Sequence, residues 1–302
     1  MPRNAPHELN ADKNVTTVAD TLDDLAAQTW HKITVGPLRG LTFGEESITD
    51  HNLFELDRLA PEVEVYKFDK SEEPTNGADF EWWIGSSSIG WLGIRFQAKK
   101  LDDGSYAQLG HRVRGQRQYH LLLEQARQDN VWAFYCFYNG WDGPWPDGVP
   151  NITCPRNLTP TWDQAGTSPC THAALQDFGC AIAPAAAVAS RHAGEPRKGR
   201  LAMEEYLQFS RPWSHLFRDR SSRLLSASPS IPIIESLLGD WVLSAVRPAQ
   251  NSSMSDTPYG QTAMPPEQGI HASLPPWLQA RRVGASNGEG NRPSVAVVFD
   301  LS

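Results

Sequence analysis

The chain has 302 residues, of which 40% are hydrophobic, and its 35 acidic and 27 basic side chains give a net charge of -8. This length can bury a full hydrophobic core, as one large domain or two small ones. The longest apolar stretches fall far short of the roughly 18 residues that a membrane span needs, and the N-terminus lacks the apolar core of a secretory signal. The composition therefore predicts a cytoplasmic protein that does not contact a membrane.

The negative charge is unevenly distributed along the chain. Residues 1–90 carry 17 acidic and 7 basic side chains, whereas the rest of the chain carries 18 acidic and 20 basic ones. Basic residues concentrate over 95–127 and again over 191–223. Such local groups can contact phosphates despite a net negative charge, although a solvated surface is the alternative.

Hydrophobic periodicity predicts the elements of the first 140 residues. After a disordered segment of residues 1–16, apolar residues recur at helical spacing, and strands follow where polar and apolar residues alternate. A start resembling a capping box places the second helix at Ser47. The predicted order is helices at 18–33 and 47–59, strands at 62–68, 78–84 and 91–100, a helix at 113–127 and a strand at 131–138.

Beyond residue 140 the pattern is weaker. We predict a long Gly/Pro/Trp-rich loop and then helices over 173–189 and 201–217, an apolar element over 231–246, a linker over 248–270 and a strand over 294–301. The expected domains are a core of residues 17–140, an α-rich accessory region of 141–247 packed on it, and a mobile linker with a C-terminal strand over 248–302. The fold class is α/β, with a central mixed sheet flanked by helices and a helical or irregular C-terminal extension.

Polar side chains of two successive strands are predicted to share one face of the sheet. Alternate side chains of a strand point the same way, so Asp79 accompanies Glu81 and, in the next strand, Arg95 and Gln97 accompany Lys99. Their neighbours on the other face are apolar. If the two strands pair as a hairpin, these groups converge on one surface.

The converging groups have the chemistry of a divalent metal site. Two adjacent carboxylates repel unless a cation compensates, and Mg²⁺ or Mn²⁺ accepts oxygen ligands while keeping several waters. We expect Asp79, Glu81 and Gln97 to be ligands, and Lys99 to orient a water or to stabilise charge developing on phosphorus.

A family resemblance supports this interpretation. Asp79 followed by Gln97-x-Lys99 resembles the Asp...(Glu/Gln)-x-Lys signature of the restriction-endonuclease-like, or PD-(D/E)XK, nuclease superfamily. The resemblance covers about residues 18–140, and the superfamily core has the element order predicted above. Gln97 stands where Glu is usual, and no proline precedes Asp79, which leaves open a weakened or inactive site.

The resemblance also implies further site residues. An acidic ligand from the helix preceding the strands corresponds to Glu46, with Glu45 as the alternative. A polar residue on the helix after the lysine corresponds to Gln118, in preference to Gln116.

The implied function is a metal-dependent phosphodiesterase, an endonuclease rather than an exonuclease, that acts on DNA in bacterial restriction or anti-phage defence. Paired sites for double-strand cleavage would suit a homo-oligomer. The alternative is a catalytically inactive nucleic-acid-binding or assembly module, which the neutral Gln97 and the net negative charge favour. For Asp79 and Glu81 the alternative is an exposed strand face that forms surface ion pairs with Arg95 and Lys99. Phosphate contacts are expected from Arg95, Lys100, Arg112, Arg114 and Arg117.

Overall fold

The computed structural model describes residues 17–67, 78–106, 109, 111–113, 115–147, 174–193, 202–217, 234–235, 238–243, 245, 269–284 and 293–301. Within these ranges the chain forms a nine-stranded mixed sheet flanked by helices, together with a separate two-stranded hairpin. The predicted α/β class is therefore confirmed. No helix of the described ranges combines the length and the apolar character that a bilayer crossing requires.

The first two helices pack side by side on one face of the sheet. Helix α1 (Val18–Val35) begins with a capping box, in which the Thr17 side chain accepts from the backbone of Asp20 and the Asp20 side chain accepts from the backbone of Thr17. Helix α2 (Glu45–Leu59) begins after Gly44, earlier than the predicted Ser47. Its first turn therefore carries two acidic residues, where the helix dipole favours negative charge.

The sheet combines strands that are far apart in sequence. Strands β11 (Val295–Asp300) and β2 (Phe80–Ser86) are parallel, as are β3 (Gly90–Asp102) and β7 (Trp132–Tyr138), and the other neighbours along the sheet are antiparallel. The order across the sheet is β1 (Val63–Lys67), β11 (Val295–Asp300), β2 (Phe80–Ser86), β3 (Gly90–Asp102), β7 (Trp132–Tyr138), β8 (Cys180–Pro184) and β9 (Arg211–Pro212). Strands β4 (Ser105–Tyr106) and β10 (Ile270–His271) also pair with β3, and β5 (Arg112–Val113) pairs with β6 (Gln116–Arg117).

The C-terminal strand lies inside the core sheet. Strand β11 occurs where the sequence predicts it, but it separates β1 from β2, which are consecutive along the described chain. Its side chains from Val295 to Phe299 are all buried. The core expected over residues 17–140 is therefore completed by the end of the chain.

The later helices are shorter than predicted. Helix α3 (Gln118–Gln128) starts after the β5–β6 hairpin, which occupies the beginning of the helix predicted over 113–127. The helix predicted over 173–189 is wrong, because strand β8 separates α4 (Ala174–Asp177) from α5 (Ala185–Ala193). The remaining helical segments are α6 (Glu204–Leu207), α7 (Pro276–Arg282), the 3-10 turns Pro37–Arg39 and Trp213–Phe217, and the described residues 234–235, 238–243 and 245.

The prediction of a helix over 201–217 is also mostly wrong, since only α6 and one 3-10 turn are helical among its described residues. Residues 248–268 of the predicted linker lie outside the described residues, as do the N-terminal segment 1–16 and the loop segment 148–172.

Both faces of the sheet are covered. Helices α1 and α2 pack on a core centred on Trp82, whose ring contacts those of Phe96, Trp213 and Phe299. Helices α3 and α5 pack on the other face around aromatic residues that include Tyr135. Strand β7 is buried on both faces, as its nearly continuous apolar sequence predicts.

A close approach between α1 and the entry to β8 makes a testable point of packing. A Cβ atom on Gly179 would lie 1.9 Å from the carbonyl oxygen of Ala26 in α1. Because that neighbour is backbone, Gly179→Ala must displace α1, and we expect the free energy of unfolding to fall by about 2 kcal/mol or more. Urea denaturation measures this change.

The matched control is Gly239→Ala in the helical residues 238–243. A Cβ there meets only a ring carbon of Trp132 at 3.9 Å, and replacing a helical glycine by alanine stabilises by up to about 1 kcal/mol. Equal stability of Gly179→Ala and the wild type would contradict the packing of α1 on β8.

Candidate functional site

Asp79 lies at the entrance to β2 and is held against β3. The antiparallel register pairs Phe80 with Phe96. The backbone N–H of Asp79 donates to the Phe96 carbonyl at 2.9 Å. One carboxylate oxygen, Oδ2, accepts from the backbone N–H of Ala98 at 2.7 Å and from Nε2 of Gln97 at 2.5 Å. The hairpin thus brings the predicted aspartate and glutamine into direct contact.

The Asp79 carboxyl lies in an environment that disfavours its charge. Burial raises the pKa of Asp79 to about 6, although the Ala98 N–H and the Lys99 charge act in the opposite direction. The charges of Glu45 and Glu46 raise this pKa further. Burial and the two glutamates together outweigh the favourable contacts of Asp79, so its ionised form is destabilised. A cation beside the carboxylate would stabilise that form.

The first turn of α2 places Glu45, rather than the predicted Glu46, against the lysine. Oε2 of Glu45 lies 3.7 Å from Nζ of Lys99, and its Oε1 accepts from the backbone N–H of Lys100 at 3.2 Å. Glu46 is exposed in the same turn. Glu45 is the alternative acid that the sequence offers, and it takes this position because α2 begins directly after Gly44.

Two hydroxyl groups fix this turn to the sheet. Thr49 Oγ1 donates to the Glu45 carbonyl at 2.9 Å and lies 2.7 Å from the hydroxyl of Tyr138 in β7. Since a threonine hydroxyl has one proton, Tyr138 is the donor in the second bond. Nothing in the local sequence pattern marks this pair, because the two residues are 89 positions apart.

Two glutamines form the next link of the site. Gln118, the first residue of α3, donates from Nε2 to Oε1 of Gln97 at 2.6 Å, and Gln97 directs its own Nε2 to Asp79. Reversal of both amides would retain the bond between the glutamines and would turn the Gln97 oxygen toward Asp79. The structure thus brings Gln118, which the resemblance implies as a site residue, into contact with Gln97.

Glu81 is not brought to this group. Its fully buried carboxylate accepts from Arg95 at 2.6 Å and from Nε1 of Trp83 at 3.1 Å, and Arg95 also binds Asp129 at the end of α3 at 2.7 Å. The register pairs Glu81 directly with Arg95. The ion pair that we considered as a surface feature is thus a buried one, and the carboxylate expected as a metal ligand is engaged by a guanidinium.

The basic residues expected to bind phosphate have different surroundings. Arg95 is 1% exposed, so it cannot reach a nucleic acid from its present position. Arg112 is exposed and donates to the Gly115 carbonyl at 2.9 Å, and Arg117 lies over the ring of Tyr119. Lys100 is partly buried, and Arg114 lies outside the described residues.

The donor set at the site is small. Among the described residues no three His, Cys, Asp or Glu side chains are close enough to hold a metal together. The oxygen donors of the group are the carboxylate of Asp79, that of Glu45 at 3.7 Å from Lys99 Nζ, and the amide oxygen of Gln97, which accepts from Gln118. Magnesium is commonly held by one or two carboxylates, substrate phosphate and waters, so this set fits such an ion.

The buried ion pair gives a prediction about stability. Arg95→Met leaves the Glu81 carboxylate buried without its guanidinium, and we expect a loss of about 3–5 kcal/mol in the free energy of unfolding. The double change Glu81→Leu with Arg95→Met removes both charges and should recover most of that loss. Chemical denaturation measures the free energy of unfolding of both variants. If the double variant is as unstable as Arg95→Met, the loss does not come from the unpaired charge of Glu81.

Comparison with known proteins identifies one family. Searches of the curated proteins and of the solved structures found no significant match. A family model matches residues 18–300, from the start of α1 to the end of β11. The match includes the Asp79 site and both faces of the sheet, and the chain therefore belongs to the family of unknown function DUF6615.

Proposed function

We propose that this protein is a divalent-metal-dependent nuclease that hydrolyses phosphodiester bonds, with DNA as its substrate. The observation that carries the proposal is the convergence of an acid, an amide and a lysine at one end of the β2–β3 hairpin. Asp79, Gln97 and Lys99 lie there with Gln118 and Glu45, from two different helices. These residue types are the ones that resemble the nuclease signature.

A magnesium or manganese ion fits the donors at this point. Asp79 and Glu45 would hold it with the Gln97 amide oxygen, and the raised pKa of Asp79, caused by burial, supports a need for positive charge there. When bound, the ion would supply charge neutralisation at the phosphate.

Lys99 is the chain's own catalytic group in this proposal. Its side chain is only 5% exposed, and in such a poorly solvated place an ammonium stabilises developing negative charge more strongly than in water. The distance of 3.7 Å to Glu45 is longer than a hydrogen bond. The three N–H donors of Lys99 can therefore turn to the attacking water or to a phosphate oxygen.

Gln118 is a positioning residue for that step. It fixes the Gln97 amide, which contacts the Asp79 carboxylate. Preorganised groups of this kind lower the cost of orientation in the transition state.

The biological setting that we propose follows from the resemblance alone. It is restriction or anti-phage defence in the bacterial cytoplasm, by an endonuclease whose sites pair in a homo-oligomer.

A second candidate is a catalytically inactive module that binds nucleic acid or assembles with other proteins. The observation that favours it is the neutral Gln97, whose amide is already hydrogen-bonded at both ends, to Asp79 and to Gln118. A closed network of this kind also serves to fix a fold. The assays below distinguish the two candidates.

The raised pKa of Asp79 predicts a pH dependence. The folded state holds this proton more tightly than the unfolded chain, whose aspartates titrate near 3.8. Without metal, ionisation of Asp79 therefore lowers the free energy of unfolding as the pH rises from about 4 through 6. Relative to the wild type, Asp79→Asn should gain melting temperature between pH 4.5 and 7.5, whereas Asp50→Asn, at an exposed ion pair with Lys67, should not.

Metal should reverse that cost. At pH 7.5 a saturating amount of Mg²⁺ or Mn²⁺ stabilises the folded state by mass action, and we expect the wild-type melting temperature to rise by a few degrees. Asp79→Asn should lose this rise, and Asp50→Asn should keep it. Identical metal responses of all three proteins would argue against a metal at Asp79.

Cleavage is tested directly on plasmid, linear duplex, single-stranded DNA and RNA with Mg²⁺, Mn²⁺ or EDTA. We expect metal-dependent cutting of DNA, and a loss of about 100-fold or more in Asp79→Ala and Lys99→Ala, because each removes transition-state charge stabilisation. Lys67→Ala is the matched control, since this lysine is 55% exposed in an unrelated ion pair.

The variant Gln97→Glu restores the carboxylate that is usual at this position, and we expect it to retain or increase cutting. Binding without cleavage under every metal condition would favour the second candidate. Cutting that survives Lys99→Ala would exclude the proposed mechanism.

A further inference from the structure

An open cavity that shares no lining residue with the Asp79 group lies between α1 and α2. It occupies about 580 Å³ between the C-terminal half of α1, the segment that leads to α2, and α2 itself. Small-molecule sites have volumes of roughly 300–1,000 Å³, so the space suits a ligand. The lining side chains that matter below are His31, Lys32, Arg39, Leu41, Phe43 and His51.

Lys32 has a buried ammonium without an acceptor. Its Nζ is shielded from solvent and has no hydrogen-bond partner among the described residues. Burial lowers the pKa of Lys32, and the electrostatic effects of Cys180 and then of Glu55 only partly oppose this. A buried polar group left unpaired costs free energy, and an anion in the cavity would remove that cost.

The other nitrogen-bearing side chains of the cavity also lack a carboxylate partner among the described residues. In the part of the chain that the structure describes, His31 and Arg39 make no ion pair, and His51 has a long contact of 3.4 Å to Gln28. The nearest acid, Glu55, is bound by Arg58. The lowered pKa of His51 has burial as its first cause and the charge of Lys32 as its second, so these two basic groups are close enough to interact.

The rest of the cavity wall is apolar. Val35, Leu41 and Phe43 contribute hydrophobic surface, and Leu41 is 56% exposed. Two amides, of Gln28 and Gln176, also reach the cavity. A ligand that satisfies this wall needs an anionic group joined to a flat, largely apolar body with hydrogen-bonding edges.

Phosphate fits the basic groups better than a carboxylate does. Several nitrogen donors meet here, and a phosphate offers three oxygens that can accept from lysine, arginine and imidazole together. The aromatic ring of Phe43 and the aliphatic side chains suit a nucleobase.

We propose that this cavity binds a phosphorylated nucleoside, either as a free nucleotide or as the terminal nucleotide of a nucleic acid strand. The site is distinct from the Asp79 group and does not require its metal. Phe43 lies two residues before Glu45 in sequence, so the ligand would contact the segment that begins α2.

Calorimetric titration in EDTA tests the site without any metal-dependent reaction. Deoxyadenosine monophosphate should bind at least tenfold more tightly than either deoxyadenosine or inorganic phosphate. Lys32→Met and, separately, Arg39→Gln should each weaken its binding about tenfold or more. Lys67→Met, at an exposed lysine far along the chain, should leave it unchanged.

Further arms of the titration identify the source of the nucleotide. A short oligodeoxyadenylate with a 5′ phosphate that binds more tightly than the mononucleotide, and loses this advantage without the phosphate, indicates a strand end. Equal or weaker binding of the oligomer indicates a free nucleotide.

The melting temperature of each variant shows whether it is folded. Lys32→Met should melt no lower than the wild type, because it removes a buried unpaired charge. The proposal is overturned if the mononucleotide binds no better than phosphate alone, or if Lys32→Met binds it as tightly as Lys67→Met does. Because the titration contains no metal, either result is independent of whether DNA is cleaved.

Discussion

The register between β2 and β3 is the constraint on which the site depends. Pairing of Phe80 with Phe96 places Asp79 beside Gln97 and places Glu81 opposite Arg95. A slip by one residue would turn every side chain of β2 to the other face of the sheet. The aromatic residues on the α1–α2 face oppose such a slip, because it would bring the charged side chains into that core. The apolar face of the hairpin therefore fixes the chemistry of its polar face.

The polar face carries two charge groups of the same composition but different character. The inner group is Glu81, Arg95 and Asp129, and the outer group is Glu45, Asp79 and Lys99. Each contains one basic and two acidic side chains. In the inner group the guanidinium binds Glu81 through Nε and Asp129 through Nη2, while its buried Nη1 has no hydrogen-bond partner among the described residues. In the outer group Lys99 makes one long contact, with Glu45. The pKa of Asp79 in the same group is raised because burial disfavours its charge. The outer group therefore has the weaker internal pairing of its charges, which is why the proposed function is assigned to it.

The helices differ in how well their sequences define them. α1 has a side-chain capping box and begins at Val18, where its periodicity predicts, whereas α2 is capped by Gly44, which has no side chain to mark the start. Without such a mark in the sequence, the start of α2 is predicted too late, and Glu46 is favoured over Glu45 as the acidic site residue of this helix. The strand at Cys180–Pro184 was predicted as a helix because its alanines favour helices, and burial on both faces overrides that preference.

The sequence alone determined the identities and spacing of Asp79, Gln97, Lys99 and Gln118, because alternation along a strand decides which side chains share a face. It also determined the α/β class and the presence of the C-terminal strand. Tertiary structure decided the neighbours: β11 entered the sheet beside β2, and the guanidinium of Arg95 engaged the carboxylate expected to bind metal. The physical reason is that strand periodicity specifies the face of a side chain, while its partner depends on strand order and register, which are set by packing between segments distant in sequence.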